Sequence, residues 1–222
     1  MKQYLEKKNS RIYIKLLSEK YLNEMIAMII AQWIKPEEDI SCSKVQASLD
    51  NIAKDVMGYL KKEYPNHSIF LTSTETFIYW QDNKIDDNCW TEAEGIQIMD
   101  TLQKYMLDKF QPCEYKDRNL KYLCLDNVLT DKCGYQLILL IICESVARRL
   151  GLYCEIMKPS IYQQDICYIY WRPQYKGINF KNVRRFVISK KFSLSSYLRE
   201  MKSDSKDNYE EIFLFAKKTL WK

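Results

Sequence analysis

Apolar residues in the first half of the chain return every three or four positions. Leu22, Met25, Ile26, Ile29, Ile30 and Trp33 make one such face, which predicts a helix ended by Lys35-Pro36. A turn at Asp39-Ile40-Ser41 follows, and Ser43 is placed to cap a second helix. Its face is Val45, Leu49, Ile52, Ala53, Val56 and Leu60, and Pro65-Asn66 closes it. Residues 69–80 read as extended or irregular, and Asp86-Asp87-Asn88 as turn material. Thr91 and Glu94 fit a capping box that opens a third helix, with Ile98, Leu102, Tyr105, Met106 and Leu107 as its apolar side.

The pattern then changes. Asn119 to Leu129 reads as a short helix, and Asp131-Lys132-Cys133-Gly134 as a turn. The next helix runs to Leu150 and is apolar nearly all round from Leu137 to Ile142, which predicts a central buried helix. Arg148 and Arg149 complement its C-terminal dipole, and Gly151 suits its C-cap. Three β-prone runs follow, Leu152–Met157, Ile166–Trp171 and Arg184–Ser189. A short helix from Ser193 or Ser195 and an amphipathic one from Tyr209 to Leu220 complete the pattern. The expected fold class is α+β. A helical N-terminal region (1–112) precedes a core (113–222) built of a buried helix on a small antiparallel sheet.

Composition narrows the chemistry. The 222 residues include 8 cysteines but 1 histidine, so a His-rich metal site or an HExxH zinc site cannot be built. No CxxC occurs, and no Walker or GxGxxG sequence. Glu37-Glu38-Asp39 is a local acidic turn, and Asp86-Asp87-Asn88 lacks the glycine and terminal glutamate of a calcium loop. No metal and no cofactor is called for. The opening residues carry charge rather than an apolar signal region. The expectation is therefore an intracellular protein, cytoplasmic or nuclear, with reduced thiols that mostly serve as small buried hydrophobes. The longest apolar run, Leu137 to Cys143, is too short to span a bilayer, so no membrane partner is expected.

The net charge of +5 is uneven: +4 over residues 1–20, −7 over 21–112 and +8 over 113–222. The basic C-terminal half raises nucleic-acid binding as one reading. Tyr168, Tyr170, Trp171 and Tyr175 would stack on bases with Arg172 and Lys176 on phosphates, and Lys181, Arg184, Arg185, Lys190 and Lys191 would supply further charge. Strand alternation, with Tyr and Trp on a packed face and basic residues outside, explains the same pattern and is preferred.

Specific blocks carry a resemblance. Asp126-Asn127-Val128-Leu129-Thr130-Asp131-Lys132-Cys133-Gly134, followed by Val146-Ala147-Arg148-Arg149-Leu150-Gly151-Leu152, resembles the SirB family of transglutaminase-like domains. Upstream, Ile29-Ile30-Ala31-Gln32-Trp33, Pro36, Asp39-Ile40-Ser41 and Val45-Gln46-Ala47 with Leu49, Asp50 and Ile52 are similar to F-box proteins that carry this domain. The resemblance covers residues 20–200, and the order of the blocks is more specific than any one of them. It implies the middle module alone, since no leucine-proline F-box opening stands in residues 1–20 and the C-terminal hemimethylated-DNA-binding type domain of those relatives is absent. A fragment, an incomplete gene model and a stand-alone paralogue all remain open.

The resemblance also implies where catalysis would sit. The family's glycine step matches Gly134, and the nucleophile position of the fold falls on Gln136. The Pro-x-His-Phe step reads Pro159-Ser160-Ile161-Tyr162, with Ile161 where histidine would stand. The one histidine, His67, is expected on an exposed turn after Pro65. A rescued relay from Cys133, activated by the helix N-terminus near Asp165 or Tyr162, would make a protease or acyl-transfer enzyme, but it lacks a base. The preferred reading is a domain without catalytic residues. It would bind a protein substrate or ubiquitin-ligase components through a groove lined by Cys133, Gly134, Tyr135, Gln136, Tyr168, Tyr170 and Trp171. Its role would be substrate recognition in an F-box-type ubiquitin ligase.

Overall fold

The computed structural model describes residues 22–113, 119–157 and 168–173, and the backbone of 184–186. The helices predicted near Ser193 and over Tyr209–Leu220 lie outside these residues, as do Pro159–Tyr162 and Asp165. The fold is α+β and mostly helical. Among the described residues the helices are α1 (Asn23–Ile34), α2 (Cys42–Glu63), α3 (Thr74–Asp82), α4 (Glu92–Lys109), α5 (Leu125–Asp131) and α6 (Gln136–Arg149). Short 3-10 turns occupy Ser68–Leu71 and Leu120–Leu123. A parallel pair joins β1 (Gln111–Pro112) to β2 (Cys133–Gly134), and β3 (Glu155–Met157), β4 (Tyr168–Trp171) and β5 (Arg184–Phe186) form an antiparallel sheet in that order.

Local signals explain several helix ends. Thr91 and Glu94 form the capping box at α4, each side chain bonding the other's backbone N–H. At the end of α6, Gly151 adopts a left-handed conformation (φ 74°). The N–H of Gly151 reaches the carbonyl of Arg148 and that of Leu152 the carbonyl of Ala147, both at 2.9 Å, which completes a Schellman motif.

Three local expectations change. The cap of α2 is Ser41, whose hydroxyl accepts from the N–H of Lys44 at 3.4 Å; Ser43 lies inside the helix and shares a hydrogen bond with the Ser41 hydroxyl. Residues 69–80 are not extended. Ser73 accepts from the N–H of Thr76 and opens α3, which turns Phe77 and Trp80 toward the core. The Asn119–Leu129 helix is split at Cys124 into a 3-10 turn and α5.

α6 is the axis of the molecule. Ile138 through Cys143, Val146 and Ala147 are buried on every side, because α1 to α5 and the β3–β4 hairpin all pack on it. One apolar cluster runs from α1, α2 and α4 into α5, α6 and β4, so both halves of the chain share a core. In β4 the period-two alternation buries Ile169 and Trp171 and leaves Tyr168 and Tyr170 half-buried. Tyr and Trp therefore face opposite ways, not one packed face together.

The loop before α4 fastens the sheet to α6. Asn88 Oδ1 accepts from the Trp171 indole and from the N–H of Tyr153, both at 3.0 Å. Its Nδ2 donates to the carbonyls of Arg172 and Pro173. The Trp90 indole donates to the Leu150 carbonyl at 2.6 Å, and the N–H of Cys89 to that of Gly151 at 3.0 Å. The Asn88–Trp90 segment thus acts as a clamp on the end of the central helix.

Candidate functional site at the start of the central helix

Two backbone bonds set the strand pair in front of α6. Gln111 donates to the carbonyl of Lys132 at 2.8 Å and Cys113 to that of Gly134 at 3.0 Å. This register brings the Cα atoms of Cys113 and Cys133 to 5.9 Å, and the two residues form a disulfide. The expectation of free thiols is overturned at this pair, and Cys133 holds no thiol to act as a nucleophile. The partner lies 20 residues away in sequence and is supplied by strand pairing, not by a local motif.

Gly134 is required by packing. A Cβ there would stand 2.6 Å from both methyls of Val128. Tyr135 is buried, donates its N–H to the carbonyl of Tyr122 at 3.1 Å and meets the Tyr122 ring edge-on. Gln136 is buried as the first residue of α6.

Of the seven residues expected to line one groove, four do not reach the surface. Gly134, Tyr135, Gln136 and Trp171 are buried, and Cys133, Tyr168 and Tyr170 are half-buried. Trp171 sits at the opposite end of α6 from Cys133, its ring against Gly95 and its indole N–H on Asn88. A helix of 14 residues is ~21 Å long, which separates Trp171 from Cys133. The physical reason is the strand pleat: it turns Trp171 inward to fill the space that Gly95 leaves, so this ring cannot serve as an exposed anchor.

His67 is also placed differently. It is buried, not exposed on a turn. Its Nδ1 accepts from the N–H of Ile69 at 3.0 Å, and Nε2 lies 3.2 Å from the Glu94 carbonyl, to which it donates. Its ring packs edge-on against Trp90 and Phe70. Both nitrogens are engaged in fastening the Ser68–Leu71 turn to α4, so neither is available as a base.

The remaining thiols are held protonated where a shift is resolved. Burial pushes the Cys124 thiol up to about 11 and Cys143 up to about 12, and holds Cys154 well above its ordinary range. Cys89 is raised too, by burial first. Among the described residues, no group of three or more His, Cys, Asp or Glu side chains is arranged to hold a metal ion.

What the pattern missed is a buried ionic network at the other end of α6. Glu24, Arg148 and Arg149 are all buried. Glu24 pairs with Arg148 and, at 3.2 Å, with Arg149, and accepts from the Ser145 hydroxyl at 2.8 Å. Arg149 reaches Asp50 at 2.8 Å and also Gln46; Arg148 donates to the carbonyls of Trp80 and Gln81. The network ties α1, α2 and α3 to α6. Partly buried Glu144, beside it, has its carboxyl pushed up to about 7, by burial first and the Glu24 charge second, against the pull of Arg148. The sequence signal was a glutamate inside an apolar face and two arginines ending a helix that is apolar all round. The sequence pattern assigned the two arginines to the C-terminal dipole of the helix and gave Glu24 no role.

No family model matches this chain, and no curated protein and no solved structure matches it. No helix among the described residues is long and apolar enough to cross a membrane.

Proposed function

We propose that this chain is a non-catalytic protein-interaction domain of transglutaminase-like design, serving substrate recognition in an F-box-type ubiquitin ligase. The observation that carries the non-catalytic part is the start of α6. The nucleophile position holds buried Gln136, the neighbouring Cys133 is bonded to Cys113, and the histidine of the chain is engaged elsewhere. A thiolate and a base side by side are what acyl transfer on this fold needs. The order of elements, a helical region followed by a glycine step, a buried helix and an antiparallel hairpin, supports the transglutaminase-like part. The ligase role rests on the sequence resemblance.

Two measurements test the reading. Purification of a tagged full-length relative that carries both this domain and an F-box should recover cullin-type ligase subunits; repeated recovery of none rejects the ligase role. An electrophilic thiol probe near neutral pH should label Cys133 no faster than exposed Cys42. Selective fast labelling of Cys133 would restore the thiol-enzyme reading.

A further inference from the structure

α3 is fixed from beneath. Phe77 and Trp80 face the core, and Arg148 binds the carbonyls of Trp80, Gln81 and Asn83 at its C-terminal end. The outer side is unlike any other helix face described above. Glu75, Ile78, Tyr79 and Asp82 follow at three- and four-residue steps, share one stripe and are all exposed. Ile78 is 52% exposed, Tyr79 56%, and Leu71, just before the Ser73 cap, 89%. No Lys or Arg occurs from Ser68 to Asn83.

We propose that this face docks a basic amphipathic segment of a partner protein, with two adjacent apolar residues flanked at helical spacing by Lys or Arg. Charge complementarity sets the partner's chemistry. The two carboxylates stand seven residues apart, ~10 Å along the helix, with Ile78 and Tyr79 between them. A segment reading cation, two spacers, two apolar residues, two spacers, cation meets each group with its complement. An acidic or neutral segment would cover both carboxylates without a counter-charge, which is penalised. The Glu75 carboxyl is held below its ordinary range by its own backbone N–H and the Ser73 hydroxyl, so it carries its charge at neutral pH. The footing is rigid, so docking costs little ordering on this side. This surface is separate from the start of α6, and the proposal holds or fails independently of the ligase role.

The probes are a dye-labelled synthetic helix bearing Lys-x-x-Leu-Leu-x-x-Lys and a twin with Glu in place of both lysines. Anisotropy is read against the full chain at low and high salt. The Lys peptide should bind, more weakly at high salt. The E75K/D82K double variant should weaken it by roughly tenfold and gain affinity for the Glu twin. Ile78→Ser should weaken the Lys peptide, with an unchanged thermal melt as its folding control. Equal binding of both peptides to the natural chain, or no response to E75K/D82K, overturns the proposal. So does sedimentation that finds a self-associated chain which E75K/D82K makes monomeric, because a second copy would then be the occupant.

Discussion

Glu24→Gln removes one negative charge from the centre of the buried network and changes little else in volume. Glu24 is fully buried and faces both Arg148 and Arg149. Arg149 keeps Asp50 at 2.8 Å, but Arg148 loses its paired carboxylate and keeps neutral oxygens, with Glu144 as the nearby acid. Breaking one partner of a buried pair costs about 3–5 kcal/mol, because the orphaned guanidinium stays desolvated. A domain of this length loses about 2–4 °C of melting temperature per kcal/mol, so the expected fall is roughly 6–20 °C. Thermal and urea melts of the purified chain measure it, with the slope of the urea transition as the check that the unfolded state is unchanged. Replacing Glu24, Arg148 and Arg149 together by Leu and Met should recover much of the loss, since an apolar substitute leaves no buried charge. A Glu24→Gln protein that melts within about 2 °C of the natural chain would refute the assignment of these residues as a desolvated network.

Further outcomes follow from the same structure. Gly134→Ala should cost about 1–3 kcal/mol by urea melt because its Cβ meets Val128, and Val128→Ala in the same chain should relieve part of it; an undisturbed single variant removes the packing argument. Cys113→Ser, or reduction of the natural chain, should lower stability by about 3 kcal/mol for the 20-residue loop, and alkylation under oxidising conditions should spare Cys113 and Cys133; full labelling of both contradicts the disulfide. Glu144 titrates near its ordinary 4.5 when unfolded and near 7 when folded. The unfolded chain therefore binds fewer protons between these values, and this carboxyl's contribution to stability should fall as pH rises from about 4.5 to 7. Glu144→Gln should flatten that slope, and an identical pH profile in the variant argues against the shift.

Features that depend on a few neighbouring residues were legible in the sequence. The Thr91–Glu94 box, Gly151 after α6, the apolar belt of α6 and the antiparallel strands after it each carry their own local chemistry. α3 was missed because nine residues with two inward aromatics leave almost no period to detect, and its exposed Ile78 and Tyr79 blur even that. His67 follows Pro65-Asn66, which reads locally as an exposed turn, yet its ring is buried by Trp90 and held by the Glu94 carbonyl 27 residues on. The Cys113–Cys133 bond and the Glu24–Arg148 pair span 20 and 124 residues, so only the tertiary arrangement creates them. The groove failed for a related reason: its residues were grouped by position along a motif, while the pleat of β4 decides which of them reach the surface.

The aromatic side chains around Gly151 have an optical consequence. Phe77, Trp80, Trp90, His67 and Phe70 form a continuous edge-to-face file, with the two indoles 5.6 Å apart and both against the end of α6. Indoles that close couple their electronic transitions, so the folded chain should display a circular dichroism couplet from the intense ultraviolet band of the two rings. Among the described residues, Trp33 and Trp171 lie outside this file. The couplet therefore reports on one place, the junction where α3, the Asn88 loop and the C-terminal end of α6 meet. Loosening of that junction becomes visible in solution without a label, and separately from loss of helix.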